Sequence, residues 1–152
     1  MANYTGGSLA MLPINADGSL QPASQVIQHF GTGPVANRQE KPHVHMAVFS
    51  PDEKMTVTND LGTDRVTGYS YTPDQLQPLD TTPAIDIKLT PGAGPRHLAF
   101  HPAKPYVYVL EELSGNVSVH HFTKQNVSLI QVIASDTTSP LPDRGSADIH
   151  FS

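Results

Sequence analysis

The chain has 152 residues, 38% of them hydrophobic, enough for one packed domain but without an apolar run of membrane-spanning length. Its formal net charge is −5 and its nine Lys and Arg residues are scattered, which argues against nucleic acid as a partner. Cysteine is absent, so neither a disulfide framework nor a thiolate metal site can form, and with no basic, apolar leader the expected location is cytoplasmic, away from membranes.

Read in chain order, the sequence is a repeat. NYTGGSLAMLPI near the N-terminus matches the second half of a unit whose full form begins at HVHMAVFSPDEK, with Leu9 corresponding to Val66 and Val117. The first full unit, from residue 43, recurs 51 positions later: Phe49-Ser50-Pro51 falls on Phe100-His101-Pro102, Val66 on Val117 and Tyr71 on Phe122. The C-terminal Asp148-Ile149-His150-Phe151-Ser152 opens a further unit, its Phe again 51 positions on. The expected division of residues 1–152 is therefore blade parts 1–42, 43–93 and 94–146, with the start of another at 147–152.

Within the best unit, short runs rich in Val, Tyr and Phe are separated by turn residues, the pattern of an antiparallel meander. The spacing predicts strands at His97–Phe100, Tyr106–Leu110, Val117–Phe122 and Ser128–Ile133, with turns at Pro102–Pro105 and Leu113–Gly115. No segment has a capped apolar stripe of helical period, so almost no helix is expected. Four strands repeated at this period predict an all-β fold, a β-propeller of four-stranded antiparallel blades with about three blades in the chain. A β-sandwich has no need of such a repeat, and a WD-type propeller has a shorter period and a Trp-Asp signature, whereas tryptophan is absent here. Both ends cut the repeat within a unit, so the chain is expected to be part of a longer propeller and to self-associate through uncovered blade faces.

Meander topology puts the start of strand one and the end of strand two on one rim, with strand one innermost. Arg96 and His97 then share a rim with Glu111 and Glu112, as do His43 and His45 with Asn59 and Asp60, and Asp148 and His150 one unit later. Arginine offers a forked set of donors for a carboxylate, phosphate or oxyanion, histidine takes a proton near neutral pH, and glutamate can orient a histidine or a water. The set suits attack of water on an activated carbonyl. His43 and His45, two apart on a strand, resemble a metal arm, but without a third ligand no metal is expected, and no cofactor motif is present. His101 reads as a turn residue, His120 and His121 as solvated side chains away from the channel, and His29 carries no motif.

In order, NYTGGSLAMLPI, HVHMAVFSPDEK, GTDRVTGYSY, GPRHLAFHP, YVLEELSGNVSVHHF and GSADIHFS resemble the lactonase-type seven-bladed β-propellers, which include the propeller form of 6-phosphogluconolactonase and a muconate lactonising enzyme. The resemblance covers essentially the whole chain and implies about three of seven blades. It departs at the usual Asp-Gly-Lys hairpins, which read Asp52-Glu53-Lys54 and Ala103-Lys104-Pro105 here. By that resemblance His45 is the active-site histidine, with His43 as the alternative, and Arg96 and Glu112 complete the catalytic set. A further family arginine falls beyond Ser152, so weak activity or none is expected of this stretch by itself. His43, His97, Glu111, Asp148 and His150 are then expected to bind substrate, a small anionic lactone. The expected reaction is hydrolysis of 6-phosphogluconolactone in the pentose phosphate route. Muconate ring closure and a non-catalytic binding platform are the alternatives.

Overall fold

The computed structural model describes residues 1–124, 126–140 and 144–152. Eleven strands form three antiparallel sheets among these residues. The first sheet is β1 (Ala2–Asn3), β2 (Ser8–Met11) and β3 (Gln25–Gln28), in that order. The second runs β4 (Val44–Phe49), β5 (Met55–Asp60), β6 (Arg65–Ser70), β7 (Ile85–Lys88). The third runs β8 (Pro95–Phe100), β9 (Tyr106–Glu111), β10 (Asn116–Phe122), β11 (Val127–Ala134). β1 to β3 correspond to strands two to four of the repeated unit. The described residues contain no helix long and apolar enough to cross a membrane.

Each sheet is a simple meander, and the sheets meet face to face. β4 lies against β1 on one side and β8 on the other, so the first strands of the two four-stranded sheets sit side by side. The apolar interior lies between sheets rather than within any one of them. Val57 and Val66 of the second sheet pack with Leu98, Val107 and Val109 of the third, and Leu9 and Ile27 of the first pack with Tyr69 and Leu79. Fully burying one such valine or leucine contributes about 1.5–3 kcal/mol. Both faces of the second sheet are covered, which is why β5 is buried along its whole length instead of alternating.

The segment between β3 and β4, outside the repeat, is held by a fully buried glutamine. Gln39 donates from Nε2 to the carbonyl of Leu61 and to Asp64, both at 2.7 Å, and its Oε1 accepts from the Val35 N–H. Asp64 in turn accepts from the Gly92 and Gly94 N–H groups, which tie the segment to the start of β8. Gly62 allows the close passage this needs, since a Cβ there would lie 1.9 Å from the Lys41 carbonyl oxygen.

Two histidines, His29, which carries no motif, and His120, expected to be solvated, are buried. His29 bridges the first two sheets: Nδ1 donates to Asp60 and Nε2 accepts from the Tyr69 hydroxyl, both at 2.9 Å. Asp60, expected on the rim, also accepts from the backbone N–H of His43 and of Gly62, so it is an internal tie. Burial first, then the charge of Asp60, pushes the Tyr69 phenol up to about 12. His120 faces the second sheet across a cavity of about 490 Å³, beside Ser118, and burial lowers its pKa. Alternation along β10 turns Ser118 and His120 inward and leaves His121 half-buried against the edge of Tyr106. His101 accepts from the Ala103 and Lys104 N–H groups and so closes its turn.

Candidate active site

Two irregularities in the sheets build the site. Val44 pairs with Asp60 and Met46 with Asn59, leaving His45 as the extra residue of a β-bulge. Pro95 pairs with Glu111 and His97 with Leu110, leaving Arg96 as the extra residue of a second bulge. These are the same position of the repeat, 51 residues apart. A bulge twists the strand locally and re-aims a side chain, so two neighbouring inner strands each turn one polar residue out of the regular alternation.

Around His45 and Arg96 stand side chains from all three sheets. The Tyr4 ring stacks on His43 at 4.5 Å and meets His45 edge-on at 5.4 Å, and His45 meets His97 edge-on at 5.2 Å. Nδ1 of His45 is buried without a hydrogen-bond partner. Burial, followed by the positive charges of Arg96 and His97, lowers the His45 pKa below the ordinary 6.5, so the ring is neutral at physiological pH. A neutral imidazole whose Nδ1 no carboxylate holds retains the capacity to take a proton.

Glu112 is the hub of the charged groups. One carboxylate oxygen accepts from Nη1 of Arg96 at 2.5 Å, and the other accepts from Nη2 of Arg38. The Glu112 N–H bonds the Gly94 carbonyl, which sets the carboxylate beside the start of β8. Burial alone would raise this carboxyl, but the hydrogen bonds and charges of Arg38 and Arg96 outweigh it and hold the pKa below the usual value. Arg96 also donates from Nε to the Ala147 carbonyl at 2.9 Å. Beyond it, Asp148 accepts from His97 at 2.6 Å and pairs with His150 at 2.7 Å, and these bonds, His97 first, keep Asp148 well below the carboxylate range.

The expected residues therefore divide. His45, Arg96, His97, Glu112, Asp148 and His150 form one connected group. His43 stands behind it: its ring is buried on Tyr4, with Nδ1 at 3.2 Å from the Tyr4 carbonyl and Nε2 at 3.3 Å from Glu40. The bulge at His45 is the reason, because it breaks the two-residue alternation that would have put both histidines on one face. Glu111 is apart from Glu112. It is buried, accepts from the Ser114 hydroxyl at 2.7 Å and lines the cavity between the second and third sheets, since neighbouring residues at a strand end face opposite ways. Arg38 and Tyr4 were not anticipated. Tyr4 lies within the repeat, at the position held by Leu61 and Glu112 in the later units, whereas Arg38 comes from a segment that does not repeat, and its one signal is a basic residue beside Gln39 shortly before the H-x-H strand. Among the described residues no group of three His, Asp or Glu side chains is arranged to hold a metal ion.

Comparison with known proteins agrees with this architecture. Residues 1–152 match the family described as lactonase, 7-bladed beta-propeller. The chain is 38% identical over 142 residues to the 6-phosphogluconolactonase of Bacillus subtilis, covering 90% of this chain and 39% of that protein. It superposes with a TM-score of 0.92 and 37% identity on a Bacteroides fragilis protein provisionally called a 6-phosphogluconolactonase, covering 99% of this chain and 43% of the other. The Pseudomonas aeruginosa periplasmic gluconolactonase gives a TM-score of 0.85 at 35% identity, with 99% and 43% covered. The chain thus spans about two fifths of the length of these relatives. The match over the whole chain, with sheets that are antiparallel meanders throughout, establishes that it belongs to the seven-bladed β-propeller lactonase family.

Proposed function

We propose that the protein built on this chain hydrolyses a sugar lactone, 6-phosphogluconolactone, to the open hydroxy acid. The observation that carries the proposal is the pair of bulged residues, a neutral His45 next to a cationic Arg96, on adjacent inner strands. Water attacks the lactone carbonyl carbon and gives its proton to His45. The carbonyl oxygen gains the negative charge and is stabilised by Arg96. The ring C–O bond then breaks, the departing alkoxide takes the proton from His45, and the new carboxylic acid ionises into solvent. Glu112 has both oxygens engaged by guanidinium groups, which suits it to hold the arginines in place rather than to carry the proton. His97, fixed by Asp148, lines the side of His45.

The name of the Bacillus relative favours the phosphorylated lactone, and with it a place in the oxidative pentose phosphate route. The cysteine-free composition fits the reducing cytoplasm. Cell fractionation distinguishes that location from the periplasm named for the Pseudomonas relative. The reaction is tested by following loss of 6-phosphogluconolactone above its spontaneous hydrolysis, with the purified wild type and Arg96→Ala side by side. Arg96→Ala is expected to lower turnover by on the order of a hundredfold, the scale of a lost oxyanion donor. Equal rates would overturn the assignment.

A further inference from the structure

Arg38 reaches the site from outside the repeat, on a segment with features of a built support. Asn37, just before it, has φ of 64°, the Arg38 and Gln39 N–H groups both bond the Val35 carbonyl, and Gln39 is fully buried with its amide bonded on both atoms. A Cβ at Gly33 would lie 2.5 Å from the Gln39 side chain, so the loop leaves no room around that anchor. The same network runs through Asp64 to Gly94, two residues before Arg96. One framework therefore sets both arginines.

Their charge is only half answered. Two guanidinium groups share one carboxylate, which leaves a net positive charge in a chain of overall charge −5. Each is partly exposed, Arg38 with 41% and Arg96 with 30% of its side chain accessible. A guanidinium has five N–H donors, and Arg38 turns its fork to Glu112 and the Tyr4 hydroxyl, so part of the fork remains for a ligand. Opposite oxygens of a single carboxylate place the two bonded nitrogens no more than about 7 Å apart, given ordinary hydrogen-bond lengths. That is comparable to the separation of the carbonyl oxygen and the phosphate in a six-membered lactone carrying a phosphorylated side arm.

Resting on the proposed lactone hydrolysis, we infer that Arg38 binds the substrate's phosphate while Arg96 faces the carbonyl oxygen, making Arg38 the residue that discriminates phosphorylated from unphosphorylated sugar lactones. Glu112 then fixes the distance between the two recognition points. Bidentate binding to phosphate oxygens requires the planar fork, which a lysine does not reproduce.

The test uses the reaction product and its unphosphorylated counterpart, which do not react further. 6-Phosphogluconate, gluconate and inorganic phosphate are titrated calorimetrically into the wild-type protein, Arg38→Gln and Arg38→Lys. Wild type is expected to bind 6-phosphogluconate at least about tenfold more tightly than gluconate, the scale of a charge-assisted phosphate contact. Arg38→Gln is expected to weaken 6-phosphogluconate about tenfold more than gluconate, and Arg38→Lys to fall between. Should Arg38→Gln unfold at the assay temperature, the charge-retaining Arg38→Lys carries the same comparison. No preference in the wild type, or an equal preference in the variants, overturns the inference. Lactone turnover is measured on the same samples. Turnover with a preference independent of Arg38 removes the phosphate role and leaves the hydrolase reading, whereas an Arg38-dependent preference without turnover does the reverse.

Discussion

Replacing Glu112 with glutamine keeps the side-chain shape and removes the charge that holds Arg38 and Arg96 together. The Glu112 side chain is 10% exposed, but its partners are 41% and 30% exposed, so each ion pair lies between the surface and buried regimes and contributes about 1 kcal/mol. Without the carboxylate the two guanidinium groups repel across about 7 Å, which adds about 1 kcal/mol at an intermediate dielectric. A loss of about 2–3 kcal/mol lowers the Tm of a chain this long by about 5–10 °C. The pH dependence gives the sharper test. The folded pKa of Glu112 is below the ordinary 4.5, so its contribution is present above 4.5 and is lost as pH falls through the folded value. Thermal melts of wild type and Glu112→Gln, followed by circular dichroism from pH 7 to pH 3, should therefore show a Tm gap that closes on acidification. Equal melts at pH 7, or a gap that persists unchanged to pH 3, would refute the reasoning.

Other parts of the structure give equally direct outcomes. Asp60→Ala removes the acceptor for His29 and for the N–H groups of His43 and Gly62, and urea unfolding should show a loss of about 3–5 kcal/mol; less than 1 kcal/mol would mean that these bonds are replaceable. Gly62→Ala forces a carbon into the Lys41 carbonyl and should cost about 3 kcal/mol or more, while Gly145→Ala, with open space around it, serves as the control in the same melts. The proposed mechanism makes His45 the neutral base and its pKa is lowered, so kcat/KM should rise with pH through a midpoint below 6.5 and stay level above it. A midpoint above 6.5, or an acid limb still present in His45→Gln, would assign that titration elsewhere.

The repeat made most of the frame legible. β9 begins at Tyr106 as expected and runs one residue further, to Glu111, and β8, β10 and β11 also match expectation to within two residues at each end. The turn role of His101 was equally readable. The bulges were not, because both full units contain the extra residue at the same place and the 51-residue count therefore carries no trace of it. His120 reads as solvated because both sides of its strand carry polar residues, Ser118 and His120 on one and His121 on the other, so the letters do not say which side meets the second sheet. Glu111 and Glu112 look equivalent as letters, yet one strand step sends them to different compartments. Arg38 lies in a connecting segment whose placement depends on long-range bonds from Gln39 to Leu61 and Asp64, and no local pattern encodes those.

The location of the apolar interior between sheets has a kinetic consequence. Tyr4 belongs to the segment after β1, His45 to the second sheet, and Arg96 and Glu112 to the third, so no single meander contains the charged group and its histidine. A refolding intermediate with all its hairpins formed but one sheet undocked would have near-complete strand content and no assembled site. Anion binding should thus recover later than the far-ultraviolet signal after dilution from denaturant, and the lag between them would time the closing of one sheet upon the next.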